Sequence, residues 1–268
     1  MPKDYFLGVH QKELERLERQ HDAWKPETIQ HFKDAGFDQC KHILDIGSGP
    51  GFTSFELVKQ CPGVQVTALD KAALYQEYLS DQVAKSGHHN VIPMHADLLN
   101  LPHTEAPYDG AFCRWVLAFL IPDLTKVLTT IYNQLAPGGV FAPMEYLSLD
   151  TFTCSPPSKH FDAYREAWKN FYLTNGGDAN IGTYLPQMLQ DVGFKIRSIK
   201  SVGGHSPYGH RLYKWWRDAF DNFAPTFVRD GLMKQRDFDE LQKYWTAQAD
   251  NPHAYIYTTI ISQIVAYK

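Results

Sequence analysis

The chain has 268 residues, 44% of them hydrophobic and 21% charged, and carries a formal net charge of −4. That length allows one sizeable α/β domain with an elaboration, and the acidic balance, with no extended Lys/Arg cluster, disfavours a nucleic-acid partner. Neither a run of eighteen apolar residues nor a basic-flanked apolar opening is visible, so no membrane span and no secretion signal are expected, and the expected compartment is the cytoplasm.

Residues 1–40 begin with Tyr5-Phe6 and continue into a charged amphipathic helix, Glu13-Leu14-Glu15-Arg16-Leu17-Glu18-Arg19-Gln20, which reads as an N-terminal arm. From 41 to 146, short apolar runs alternate with helical stretches. The predicted strands are 42–46, 64–69, 91–95, 109–115 and 139–145, and the predicted helices 51–60, 71–86 and 122–135. This alternation implies a parallel sheet covered on both faces. Residues 147–180 form a first cap insertion. Phe161, Tyr164, Trp168, Phe171 and Tyr172 share one helical stripe there, either as cap core or, for one or two rings, as the lining of a substrate pocket. A helix at 181–192 and a strand at 194–202 return to the core. Residues 203–252 form a second, helical cap insertion, and a strand at 254–267 closes the fold. Cys40, Cys61, Cys113 and Cys154 contain no C-x-x-C pair, and the twelve histidines no H-x-x-x-H pair on a plausible helix. Reduced thiols and no metal are therefore expected.

The densest signal is Ile43-Leu44-Asp45-Ile46-Gly47-Ser48-Gly49-Pro50-Gly51, a buried strand entering a glycine-rich turn. Such a turn brings backbone against a nucleoside ligand. A dinucleotide fingerprint wants its third glycine one step later, where Phe52 stands, and Asp45 would repel a pyrophosphate but tolerate a cationic amino group. Pro50 suits the opening of the next helix. Asp70 closes the second apolar run, where an acceptor-only carboxylate can hold the two hydroxyls of a ribose; it could equally cap a helix from Lys71. A cofactor with an adenosine, a sulfonium and an ammonium, and no phosphate, fits these features.

On these residues the chain resembles the class I S-adenosylmethionine-dependent methyltransferases, whose pattern is acidic-x-Gly-x-Gly-x-Gly. The match continues through Val91-Ile92-Pro93-Met94-His95-Ala96-Asp97-Leu98, through Tyr108 to Leu117, and through Leu135-Ala136-Pro137-Gly138-Gly139-Val140-Phe141, covering about Ile43 to Glu145. The resemblance implies a Rossmann-like three-layer α/β sandwich with a seven-stranded, mostly parallel sheet, its last strand antiparallel, plus helical cap insertions. Tyr5, Gly8, Glu13, Arg16, Leu17 and Gln20, with Asp178, Ile181 and Gly182, match a small-molecule, bacterial-type branch. In that branch the arm folds over the cofactor, which makes Tyr5 and Gln20 candidate contacts. Asp97 is placed at the adenine amino group, or else it only caps the turn before Leu98. Arg114 and Trp115 lie in the loop under the cofactor. The full expected set for S-adenosyl-L-methionine adds Asp45, Gly47, Ser48, Gly49, Gly51, Asp70, Lys71 and Leu98.

The implied reaction is methyl transfer to an O, N, S or C nucleophile of a small-molecule acceptor by in-line displacement, driven mainly by alignment. Where a general base is needed, the candidates are His160, His205, His210, Tyr164 and Tyr208 of the cap. Glu145 could hold an acceptor amine or cap a strand. Rival readings are a nicotinamide oxidoreductase, a non-methylating binding module or cyclase on the same fold, and a peptide or protein methyltransferase. A homodimer stays open.

Overall fold

The structure, a computed structural model, describes residues 11–101 and 107–268. Five apolar runs form parallel strands: β1 (His42–Ile46), β2 (Gln65–Asp70), β3 (Val91–His95), β4 (Tyr108–Arg114) and β5 (Leu135–Ser148). Ile43 to Ile46 of β1 are all buried, as a central strand covered on both faces requires. Two later strands, β7 (Lys195–Val202) and β10 (Ile260–Tyr267), complete a sheet of order β3-β2-β1-β4-β5-β10-β7, with β10 antiparallel to both neighbours. The expected seven-stranded Rossmann-like sheet is therefore present.

Strand order reverses between β1 and β4. The helices α2 (Phe52–Gln60) and α3 (Ala73–Ser86) serve the crossovers running one way, and α4 (Leu124–Gln134) and α6 (Leu185–Val192) those running the other. Crossovers of one hand running in opposite directions place these pairs on opposite faces of the sheet and leave a crevice above β1 and β4.

Two expectations change. The charged helix of the arm is far longer than its charged segment: α1 (Gln11–Ala35) runs through Pro26. An internal proline costs a helix on the order of 3 kcal/mol, but Ala23, Trp24, Thr28, Phe32 and Ala35 are all buried, and α1 packs along α2, β5 and β10. Burial of that face outweighs the break. The last strand, expected as one piece over 254–267, is broken in two. Its first part, β9 (Tyr255–Tyr257), pairs with β6 (Thr153–Ser155) and β8 (His205–Pro207) in a separate sheet of order β6-β9-β8. Buried Thr258 and Thr259 turn the corner. The Thr258 hydroxyl accepts from the Gly204 N–H at 2.9 Å, and the Thr259 hydroxyl donates to the Ser148 carbonyl at 2.9 Å. These bonds satisfy backbone groups that neither sheet reaches.

The cap consists of α5 (Lys159–Thr174), α7 (Arg211–Arg229) and α8 (Gln235–Ala247). Its core is aromatic: Phe152 stacks on Trp216 at 3.9 Å between centroids, and Tyr164 meets Phe220 edge-on at 5.4 Å. Through Arg19–Asp218 at 2.8 Å, and through Arg211, which bonds Ala23 and Glu27, α7 is fastened to α1. Together these two helices roof the crevice.

Candidate active site

The glycine turn after β1 is shaped by contacts on both sides. The Ser48 N–H donates to the Leu69 carbonyl at 2.9 Å, tying the turn to the end of β2. Gly47 has φ +65°, and a Cβ there would lie 2.4 Å from a methyl of Val116. The absence of a side chain thus lets the turn pass against the loop after β4. Gly51 does something different from what was expected of it. It is buried against Leu79 of α3, outside the pocket wall, and so packs helix on helix rather than facing a ligand.

Asp70 braces the turn. One carboxylate oxygen accepts from the Gly49 N–H at 2.8 Å and the other from the Ala72 N–H at 2.8 Å, while burial pushes the carboxyl up from its ordinary range. Asp45 is fully buried and accepts from the Thr53 and Ser54 hydroxyls at 2.8 and 2.6 Å; burial raises its pKa to about 6 against those bonds. Asp97 accepts from the Leu99 N–H at 3.0 Å, capping the turn at Leu98–Asn100 while also lining the crevice.

These groups open into a cavity of about 330 Å³, within the size range of small-molecule sites. Of the expected cofactor residues, Gln20, Asp45, Gly47, Ser48, Gly49, Asp70, Lys71, Asp97, Leu98, Arg114 and Trp115 line it. Tyr5 lies outside the described residues. Gln20 is committed through its carbonyl oxygen, which accepts from Arg16 at 2.9 Å and from the Trp215 indole at 3.2 Å.

The far half of the cavity is aromatic. Trp115 has φ +56°, a conformation that bulky side chains rarely adopt outside functional or over-determined sites. Its indole stacks between Tyr146 (5.7 Å, 16°) and Trp215 (5.5 Å, 10°), and Trp24 meets it edge-on at 5.6 Å. Trp168 and Tyr172 of the predicted stripe reach this wall, whereas Phe161, Tyr164 and Phe171 stay in the cap core. Sequence reasoning missed Tyr146, Trp215, Trp216 and Phe223. The last three, with Ala219, recur at helical spacing along α7, a signal that was available once a helix was assigned there.

The expected base candidates are corrected, because none of the five lines the cavity. His160 bonds Asp237 at 2.8 Å and pins α5 to α8; His205 sits against Tyr255 on the small sheet; His210 caps α7, accepting from the Leu212 N–H at 3.4 Å. Tyr164 is fully buried among cap rings, and Tyr208 is exposed against Tyr213. Each has a structural role that its residue type also serves.

Glu145, on β5, caps rather than binds. It is fully buried, and one oxygen accepts from the Val116 and Leu117 N–H groups at 2.8 and 2.7 Å, fixing the loop that carries Trp115. Burial raises its pKa to about 8 from an ordinary 4.5. A carboxyl whose pKa is raised in the fold stabilises most below its unfolded value, and that contribution is lost as pH rises through the folded one. The melting temperature is therefore expected to fall as pH rises from about 4.5 to about 8 and to level off above that. Glu145→Gln, which keeps an accepting oxygen and removes the charge, should flatten the decline; an equally steep decline in that variant would exclude Glu145 as its source.

Residues 43–139 match the model of a methyltransferase domain. This match and the relatives that share it support a class I S-adenosylmethionine-dependent methyltransferase. The chain is 29% identical over 181 residues to trans-aconitate 2-methyltransferase of Rhodopseudomonas palustris, a match covering 65% of this chain and 64% of that protein. It is 26% identical over 204 residues to demethylmenaquinone methyltransferase of Listeria welshimeri, covering 69% and 83%. The chain thus spans somewhat under two thirds of the first relative's length. Among solved structures, the cyclase SpnF superposes with a TM-score of 0.58 at 16% identity over 91% of this chain and 80% of that one, a likeness of fold alone. Among the described residues, no helix is long and apolar enough to cross a membrane.

Proposed function

We propose that this chain transfers a methyl group from S-adenosylmethionine to a small-molecule acceptor held in the aromatic half of the cavity. The observation carrying the reading is that one cavity runs from the glycine turn and Asp70 to the ring-lined wall behind Trp115. The residues fit the cofactor. Gly47 to Gly49 present bare backbone, the Asp70 carboxylate suits a ribose diol, and Asp97 an adenine amino group. Asp45 suits the ammonium of the methionine moiety. When bound, the cofactor supplies an electrophilic methyl group on a sulfonium. The protein's work is alignment and exclusion of water, which can contribute roughly 7–11 kcal/mol. Trp115, Tyr146 and Trp215 provide flat, dry faces for that purpose, and α1 and α7 close over them.

Relatives named for trans-aconitate and demethylmenaquinone support a small-molecule acceptor. A second reading, a cyclase on the same fold, is favoured by the cavity wall, which among the described residues includes no histidine to act as a base. Calorimetry with S-adenosylmethionine, followed by assay of S-adenosylhomocysteine on adding acceptors, separates the readings. Saturable binding with product formation is expected. Absence of binding overturns both cofactor readings, and turnover of an added substrate without S-adenosylhomocysteine favours cyclisation.

A further inference from the structure

Charge is distributed unevenly along the cavity. Its three carboxylates, Asp45, Asp70 and Asp97, stand at the strand ends, and each already accepts from hydroxyl or backbone donors. Beyond Trp115 the wall is made of rings, with no carboxylate and no histidine among the described residues. The phenols do not replace a base there, since burial raises Tyr146 well above its ordinary range and it hydrogen-bonds to Tyr172. Two guanidinium groups border this half. Arg16 is neutralised by Glu13, which it meets through two nitrogens at 2.7 and 2.8 Å. Arg114 differs. It is half-buried, donates to the Thr28 hydroxyl at 3.0 Å and lies 5.0 Å from the centroid of the Trp115 ring, but forms no ion pair among the described residues. Asp45 attracts it only from beyond ion-pair distance, and burial lowers its pKa to about 10, which leaves it cationic at neutral pH.

Resting on the methyl-transfer reading, we propose that the acceptor is a conjugated organic acid that reacts as its own oxyanion, a carboxylate or an acidic enolate, held by Arg114 within the ring-lined half of the cavity. A half-buried guanidinium with no carboxylate partner among the described residues is ready to take one, and planar conjugated systems suit a wall of rings. The reaction then balances without a base. A lone pair of the oxyanion forms the bond to the methyl carbon as the carbon–sulfur bond breaks, and the pair of that bond stays on sulfur. No proton moves, and two opposite charges disappear together, a change that a dry apolar wall favours over water. A neutral alcohol would need a base, which the wall lacks among the described residues, and a cationic amine would face both Arg114 and the sulfonium.

Full-length protein saturated with S-adenosylhomocysteine can be titrated with naphthoate and cinnamate and with their primary amides, following indole fluorescence. The acids should bind at least about tenfold more tightly than the amides, as loss of one charge-assisted pair implies. Arg114→Met should abolish the preference, and Arg114→Lys should retain part of it. With acids of graded pKa as acceptors, the pH at which kcat/KM reaches half its plateau should follow the acid. Equal binding of acid and amide, a pH profile fixed by the enzyme, or methylation of amines but not acids overturns the proposal. Loss of S-adenosylmethionine affinity in both variants also overturns it, and assigns Arg114 to the cofactor's own carboxylate. Failure of the unaltered protein to bind S-adenosylmethionine instead overturns the reading on which the proposal rests.

Discussion

Asp70→Ala is expected to weaken S-adenosylmethionine binding at least about tenfold, because one hydrogen bond to a charged group contributes roughly 1.5–3 kcal/mol. The structure adds a second reason for a large effect. Each Asp70 oxygen already accepts one backbone N–H, from Gly49 and from Ala72, and each has a lone pair left for a ribose hydroxyl. Removing the carboxylate takes away the ligand's partners and the brace of the glycine turn together. Asp70→Asn should be intermediate, since its amide keeps one accepting oxygen and turns a donor toward a donor. Isothermal titration is the measurement, and unchanged affinity in Asp70→Ala would place the ribose elsewhere.

Gly47→Ala should cost both stability and binding. A left-handed conformation costs an L-residue roughly 1–2 kcal/mol, and overpacking typically costs about 1–3 kcal/mol more. The new methyl would lie 2.4 Å from Val116, and Val116 has little room to yield because Glu145 holds its N–H at 2.8 Å. The melting temperature should fall by several degrees, and cofactor binding should be lost with displacement of the turn. Gly49→Ala separates the two costs. Its φ is +54° but no atom lies within 4 Å of the added carbon, so it bears only the backbone strain. If the two alanine variants prove equally stable, the Gly47–Val116 contact is not the constraint argued here.

Local chemistry marked the glycine-turn half of the cavity because it is made of residues close in sequence whose types have few other uses. Gly47 to Gly51 need backbone freedom or close packing, Asp70 is an acid at a strand end, and a parallel sheet built from alternating runs must bring both to one edge. The base candidates failed for the complementary reason. Histidine and tyrosine also serve as caps, rungs and core rings, and nothing near His160 or Tyr164 in sequence says which. Asp237, which takes His160, lies 77 residues away.

The alternation of strands and helices, the glycine turn and the acids beside it follow from the sequence by itself, since each rests on short-range steric and hydrogen-bonding demands. Tertiary structure alone decided which rings face a ligand, which guanidinium is left without a carboxylate, and that the final strand divides between two sheets. Those outcomes depend on partners distant in the chain, Trp115 with Trp215, Arg114 with Thr28, Thr258 with Gly204. Contacts over such separations are set by how layers pack, and no local pattern encodes them.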